Sequence, residues 1–99
     1  MALSPAVGRG VESSSSSDRM LSLLQQQVRE DPTRSDSWRL IGRLQRRKGN
    51  DLEAAVAFRK ALKADSGSVA AHFDLGQLLE AQGEVVEAEQ HYAVVHQLG

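Results

Sequence analysis

The densest chemistry in the chain is a row of cations: Arg39, Arg43, Arg46, Arg47 and Lys48 fall within ten residues. Spaced three and four apart, Arg39, Arg43 and the Arg46/Arg47 pair share one face of a helix, with about 5–6 Å between neighbours. A guanidinium offers a planar fork that meets a carboxylate or phosphate with two parallel hydrogen bonds, so the row suits an anionic ligand. A merely solvated basic face is the plainer alternative. Nucleic acid is not expected as a partner, because no aromatic residues are interleaved with the cations to stack on bases. The stretch that follows is also of opposite sign, with five acidic residues and no Lys or Arg over residues 69–99.

Other chemistries find little footing. The chain has no cysteine, which removes disulfides, thiolate nucleophiles and cysteine zinc sites together and fits a reducing compartment. His72, His91 and His96 match no metal-ligand spacing, and His91 and His96 diverge on a helix. Gly8-Arg9-Gly10 has no strand before it and is no phosphate loop. No catalytic residue, cofactor or metal is therefore expected, and the chain does not read as an enzyme. No apolar run approaches the roughly 20 residues that cross a bilayer, so no membrane partner is expected either. A cytoplasmic or nuclear location is the expectation.

The elements that must position the cations come from a repeat. Ser35–Ser68 lies over Val69–Gly99 with a period of 34 residues and no gap. Ile41-Gly42 falls on Leu75-Gly76, Leu44 on Leu78, Gly49 on Gly83, Glu53-Ala54 on Glu87-Ala88, and Phe58 on Tyr92. A fixed period of this length marks a solenoid, in which each unit buries its apolar face only against its neighbours. Each unit reads as two antiparallel helices. Trp38, Ile41, Leu44 and Gln45 form the stripe of the first, and Gly49 closes it in the left-handed conformation. Asn50 is placed to cap the second, with Glu53 completing a capping box. Gly42 and Gly76 cost about 1 kcal/mol each inside a helix. Repeated in register, that cost points to a close approach of backbones.

The upstream part is different. Residues 1–17 are Ser/Gly-rich without a period and read as an unstructured tail. From Asp18, Met20, Leu21, Leu23, Leu24 and Val28 recur at helical spacing, with Ser17 or Asp18 as N-cap and Pro32 as the stop. The expected helices lie near 18–30, 36–48, 51–64, 69–82 and 86–97, in an all-α fold without strands.

These residues resemble the tetratricopeptide repeat family, whose pattern is W-x2-L-G-x2-Y, then A-x3-F, then P. Unit one offers Trp38-x2-Ile41-Gly42-x2-Gln45 and Ala54-x3-Phe58; unit two offers His72-x2-Leu75-Gly76-x2-Leu79 and Ala88-x3-Tyr92. Gln45, Ser66 and His72 depart from the pattern, and His72 is expected to be a half-buried structural histidine. The resemblance implies an antiparallel helix-hairpin solenoid segment with right-handed superhelical stacking: a half repeat over 18–34, then repeats over 35–68 and 69–99. It also implies a protein-interaction scaffold or adaptor that holds a protein or peptide in a concave groove lined by the first helix of each unit. Arg39, Arg43, Arg46, Arg47, Phe73, Asp74 and Gln77 would face that groove, and the arginines favour an acidic partner. Phe73 would either anchor a peptide side chain or pack on a neighbour. One subset of the family captures chaperone C-terminal carboxylates with Lys and Asn on the first groove helix and Asn on the second. Here Arg39 and Arg43 hold the first two places and Asp74 the third; an aspartate repels a carboxylate, so that capture is not expected.

Val85, Val86, Val94, Val95 and Leu98 are expected to lie uncovered on the last helix. Three accounts follow: a fragment or isoform of a longer protein, self-association through the C-terminal helix, or docking on a partner. The first leads to a rival function, an N-terminal arm that positions a substrate or partner for an enzyme downstream.

Overall fold

The computed structural model describes the backbone of residues 3–99 and the side chains of residues 16–99. Five helices and no strand are present among the described residues: α1 (Leu3–Glu30), α2 (Ser35–Arg47), α3 (Asp51–Ala64), α4 (Val69–Ala81) and α5 (Val85–Leu98). The last four match the expected spans to within a residue or so. The first begins at Leu3 rather than near 18, so neither Ser17 nor Asp18 is an N-cap. Asp18 lies within the helix and pairs with Lys48 at 2.7 Å. Once the packed turns after Asp18 are formed, extending a helix upstream needs no new nucleus. The tail expected over residues 1–17 lies almost wholly outside the described side chains.

Helices pack in sequence order, α2 on α3 and α4 on α5 as hairpins, with α1 on α2 and α3 on α4 joining the units. Gly49 and Gly83 close α2 and α4 with φ of +86° and +85°, the left-handed conformation that costs a glycine nothing. Each is followed by the same backbone bond, from the amide of Asn50 to Gln45 O and from that of Glu84 to Leu79 O, both 2.8 Å.

Two core clusters follow. Leu21, Leu24 and Val28 of α1 meet Ile41 and Ala57, with Trp38 and Leu44 at the edge. Ala54 and Phe58 meet Leu75, Leu78, Leu79 and Ala88, with Tyr92 at the edge. Ala54 and Ala88 are buried, as their small size requires. Gly42 and Gly76 are where the approach is closest, but what approaches is an aromatic ring rather than a backbone. A Cβ on Gly42 would lie 2.5 Å from the Phe58 ring, and one on Gly76 2.7 Å from the Tyr92 ring.

The caps differ from expectation. Among the described residues only Ser68 caps with its side chain, accepting from the Ala71 amide at 3.2 Å. Asn50 makes no such bond and Glu53 completes no capping box; the Asn50 side-chain Nδ2 instead donates to Gln45 Oε1 at 2.8 Å. Gln45 is buried where the family has a tyrosine, and Asn50 satisfies an acceptor that would otherwise lie stranded. Gln45 therefore makes a polar clasp and does not loosen the packing.

At the far end the expected uncovered surface is present: Val85, Val86 and Leu98 are exposed, while Val94 and Val95 are half-buried.

Candidate functional site

The first helices of the two units, α2 and α4, touch along one side, and a cleft of about 360 Å³ opens between them over α3. Arg43, Arg46 and Arg47 line it from α2, Asp74 and Gln77 from α4, and Phe58 forms its floor. Five of the seven residues expected in the groove are thus brought to one place. The other two are not among its lining residues.

Arg39 is turned to Asp74, Nη1 to Oδ2 at 3.4 Å, an ion pair linking the two units. Its Nε is buried without a partner, so this guanidinium is committed to the interior edge rather than offered as a fork. Phe73 is exposed but leans on Tyr92, with ring centroids 6.2 Å apart and planes tilted by 50°. The packing contact expected of Phe73 is thus present, and the rest of its ring stays exposed.

The pairing of Arg39 with Asp74 sets the charge of the cleft. Asp74 is the only carboxylate lining it, and Arg39 takes up that charge. Arg43, Arg46 and Arg47 form no ion pair among the described residues. Arg46 is instructive. One period on, its counterpart is Glu80, which accepts from the Tyr92 hydroxyl at 2.8 Å. Phe58 has no hydroxyl, so Arg46 is left to the cleft. Burial, with Glu80 beside the hydroxyl, pushes the Tyr92 phenol above its usual value and keeps it a donor.

A second pair joins the units on the other side. Arg59 meets Glu87 with two bonds, 2.7 and 3.2 Å. The guanidinium holds the Glu87 carboxyl below the usual glutamate value. Glu87 also faces His91 Nε2 at 3.4 Å, and His91 Nδ1 lies 2.9 Å from His72 Nδ1. The spacing in sequence hides this cluster, since its two histidines sit nineteen residues apart on different helices. Ser66 O can only accept, so His72 Nε2 carries the hydrogen of their 2.9 Å bond. His72 Nδ1 is then the acceptor for His91. Trp38 does the same in unit one, its Nε1 donating to Pro32 O at 2.9 Å. His72 is accordingly structural and half-buried, with its ring N–H in the role of the tryptophan's. No group of three or more His, Cys, Asp or Glu side chains is placed to hold a metal ion among the described residues.

No helix among the described residues is long and apolar enough to cross a membrane. Comparison with curated proteins finds no match. The tetratricopeptide repeat profile, however, matches residues 21–69 and again residues 39–97, two overlapping stretches that together take in both hairpins. Repeats of this kind generally mediate contact between proteins. The hairpins, the ring-on-glycine contacts and the 34-residue period agree with that match over most of the chain: it belongs to the tetratricopeptide repeat family.

Proposed function

We propose that this chain is a non-catalytic interaction module whose α2/α4 cleft holds an acidic peptide segment of a partner protein. The observation that carries the reading is the set of three arginines, Arg43, Arg46 and Arg47, gathered in one cleft whose lining carboxylate, Asp74, is paired with Arg39 instead. Arg39 and Arg59, by contrast, are each paired with a carboxylate of the second unit. The cleft holds a short run of side chains rather than a deep ligand, and Gln77 adds a hydrogen-bonding group on the α4 wall. A chaperone C-terminal carboxylate fits less well. Asp74 would face it, and Arg39 is already engaged.

Fluorescence anisotropy with a labelled peptide carrying four consecutive glutamates tests the reading. Arg43→Glu with Arg46→Glu should weaken binding by about tenfold or more, since each charge-assisted contact is worth roughly 1.5–3 kcal/mol. Raising the salt should weaken it as well, because the contacts lie near solvent. Equal affinity for the double variant and the parent chain would remove the cleft as the site.

A further inference from the structure

A second groove follows from the repeat itself. One period before α3 lies α1, so that Met20, Leu23 and Leu24 are the counterparts of Ala54, Ala57 and Phe58. In α3 this face is closed by α2, which lays Gly42 on the Phe58 ring and shares a core with Ala57 through Ile41. In α5 it is closed by α4 in the same way, Gly76 on Tyr92. Ala54 and Ala57 are consequently 0% and 3% exposed, whereas Met20 and Leu23 are 51% and 53% exposed. Beside them a groove of about 230 Å³ runs between α1 and α2, lined by Met20, Leu24, Leu40, Arg43, Leu44 and Arg47. Its Leu24, Leu40 and Arg43 stand one period before Phe58, Asp74 and Gln77 of the α2/α4 cleft. The groove is therefore that cleft repeated upstream, and among the described residues no first helix supplies its other wall.

We infer that the α1/α2 groove is a docking site for an amphipathic, acidic helix of a partner protein. The internal symmetry specifies a helix, because a helix closes both equivalent faces within the same molecule. The four apolar lining residues call for apolar side chains three and four apart on that helix. Arg43 and Arg47, unpaired among the described residues, specify acidic residues along its edge. A second copy offering its own α2 is disfavoured by charge, since that helix would set arginines against arginines. The groove shares Arg43 and Arg47 with the acidic-peptide cleft and rests on the same charges to that extent; Met20, Leu24, Leu40 and Leu44 line the groove and not the cleft, and Arg46, Asp74 and Gln77 line the cleft and not the groove.

The probe is a peptide with the sequence of residues 35–47 in which Arg39, Arg43, Arg46 and Arg47 are replaced by Glu, titrated into the full chain labelled with nitrogen-15. The amides of Met20, Leu23, Leu24, Leu40 and Leu44 should shift. Met20→Glu and Leu23→Glu, both at exposed positions that leave the core intact, should each weaken binding by about tenfold. The peptide with its arginines retained should bind about tenfold more weakly than the acidic one. Absence of shifts up to roughly 1 mM peptide, a value that corresponds to about 4 kcal/mol, would overturn the inference. So would shifts confined to α5 or to the α2/α4 cleft, or equal binding of a scrambled peptide. Sedimentation showing a dimer that Met20→Glu dissolves would assign the groove to a second copy instead, and would equally overturn it. Loss of binding in Arg46→Glu alone would bear on the cleft and leave the groove standing.

Discussion

Units one and two place nearly the same backbone under different side chains, and the pairs in which they differ explain what each is for. Unit one sets a large Trp38 against a small Ala57; unit two sets His72 against His91 at the same two positions. The volume is redistributed while one hydrogen bond is kept, from the ring N–H to the carbonyl of Pro32 or Ser66. Unit one has Phe58 with Arg46 nearby; unit two has Tyr92 with Glu80 and joins them. Unit one uses a buried Gln45 clasped by Asn50, where unit two has a buried Leu79. Even the loops agree, with Asp31 Oδ1 accepting from the Thr33 amide and Asp65 Oδ1 from the Gly67 amide, each at 3.1 Å. Shared contacts are backbone-directed and set the hairpin. Differing ones are side-chain pairs, and they decide which charges are consumed internally and which remain for a partner.

The largest test of this comparison lies at the two mid-helix glycines. Phe58 is fully buried and cannot move, so Gly42→Ala should destabilise the chain by about 2 kcal/mol despite alanine's better helix propensity. Tyr92 sits at the edge of its cluster, with room to swing toward solvent, so Gly76→Ala should cost about 1 kcal/mol or less. Urea denaturation reads both; equal losses would mean that the two ring-on-glycine contacts are not differently constrained.

A smaller effect tests the exchange of pairs. His91→Ala should cost about 1 kcal/mol by stranding His72 Nδ1. Adding His72→Trp recreates the pair of unit one and should recover part of that loss. Simple additivity of the two changes in a double-mutant cycle would show that the pair is not coupled.

The smallest concerns Glu87, whose carboxyl is held low by Arg59. A lowered folded pKa gives stability that is present above the ordinary glutamate value, about 4.3, and is lost as pH falls through the folded value. Glu87→Gln should therefore lower the Tm slightly near neutral pH, and the gap from the parent should close below about pH 4. Because the pair is solvent-exposed, the gap should also shrink in salt. A gap that persists in acid would assign the effect to packing rather than charge.

Much of the fold was legible because its signals are local and periodic. Gly49 and Gly83 recur in register and need left-handed backbone; Ala54 and Ala88 recur because a helix packs over them. The glycines at 42 and 76 announced a close approach, but glycine is silent about what comes near, and a ring and a backbone leave the same trace in the sequence. Asn50 looked like a cap because the rule considers only its own helix. Gln45, at the end of the previous one, offered a buried acceptor that wins the side chain. The cleft was legible as a helix face, which gathers Arg43, Arg46 and Arg47 by spacing alone. What spacing could not give was which arginine is consumed. That depended on Asp74, thirty-five residues from Arg39 and on another helix. The histidine cluster was missed for the same reason, since it exists only where α4 meets α5.

The ring N–H that reaches back to the preceding loop has a consequence for how such an array can diverge over evolutionary time. Position 38 or 72 can change its ring, but a phenylalanine there would give up the tie to the loop carbonyl, and a larger ring needs a smaller neighbour at position 57 or 91. Neutral drift is thus channelled into coupled steps, each passing through a less stable intermediate unless both members change together. Related repeats should record this history as covariation between those two columns, and a unit lifted from one place in an array should tolerate transplantation only when both columns travel with it.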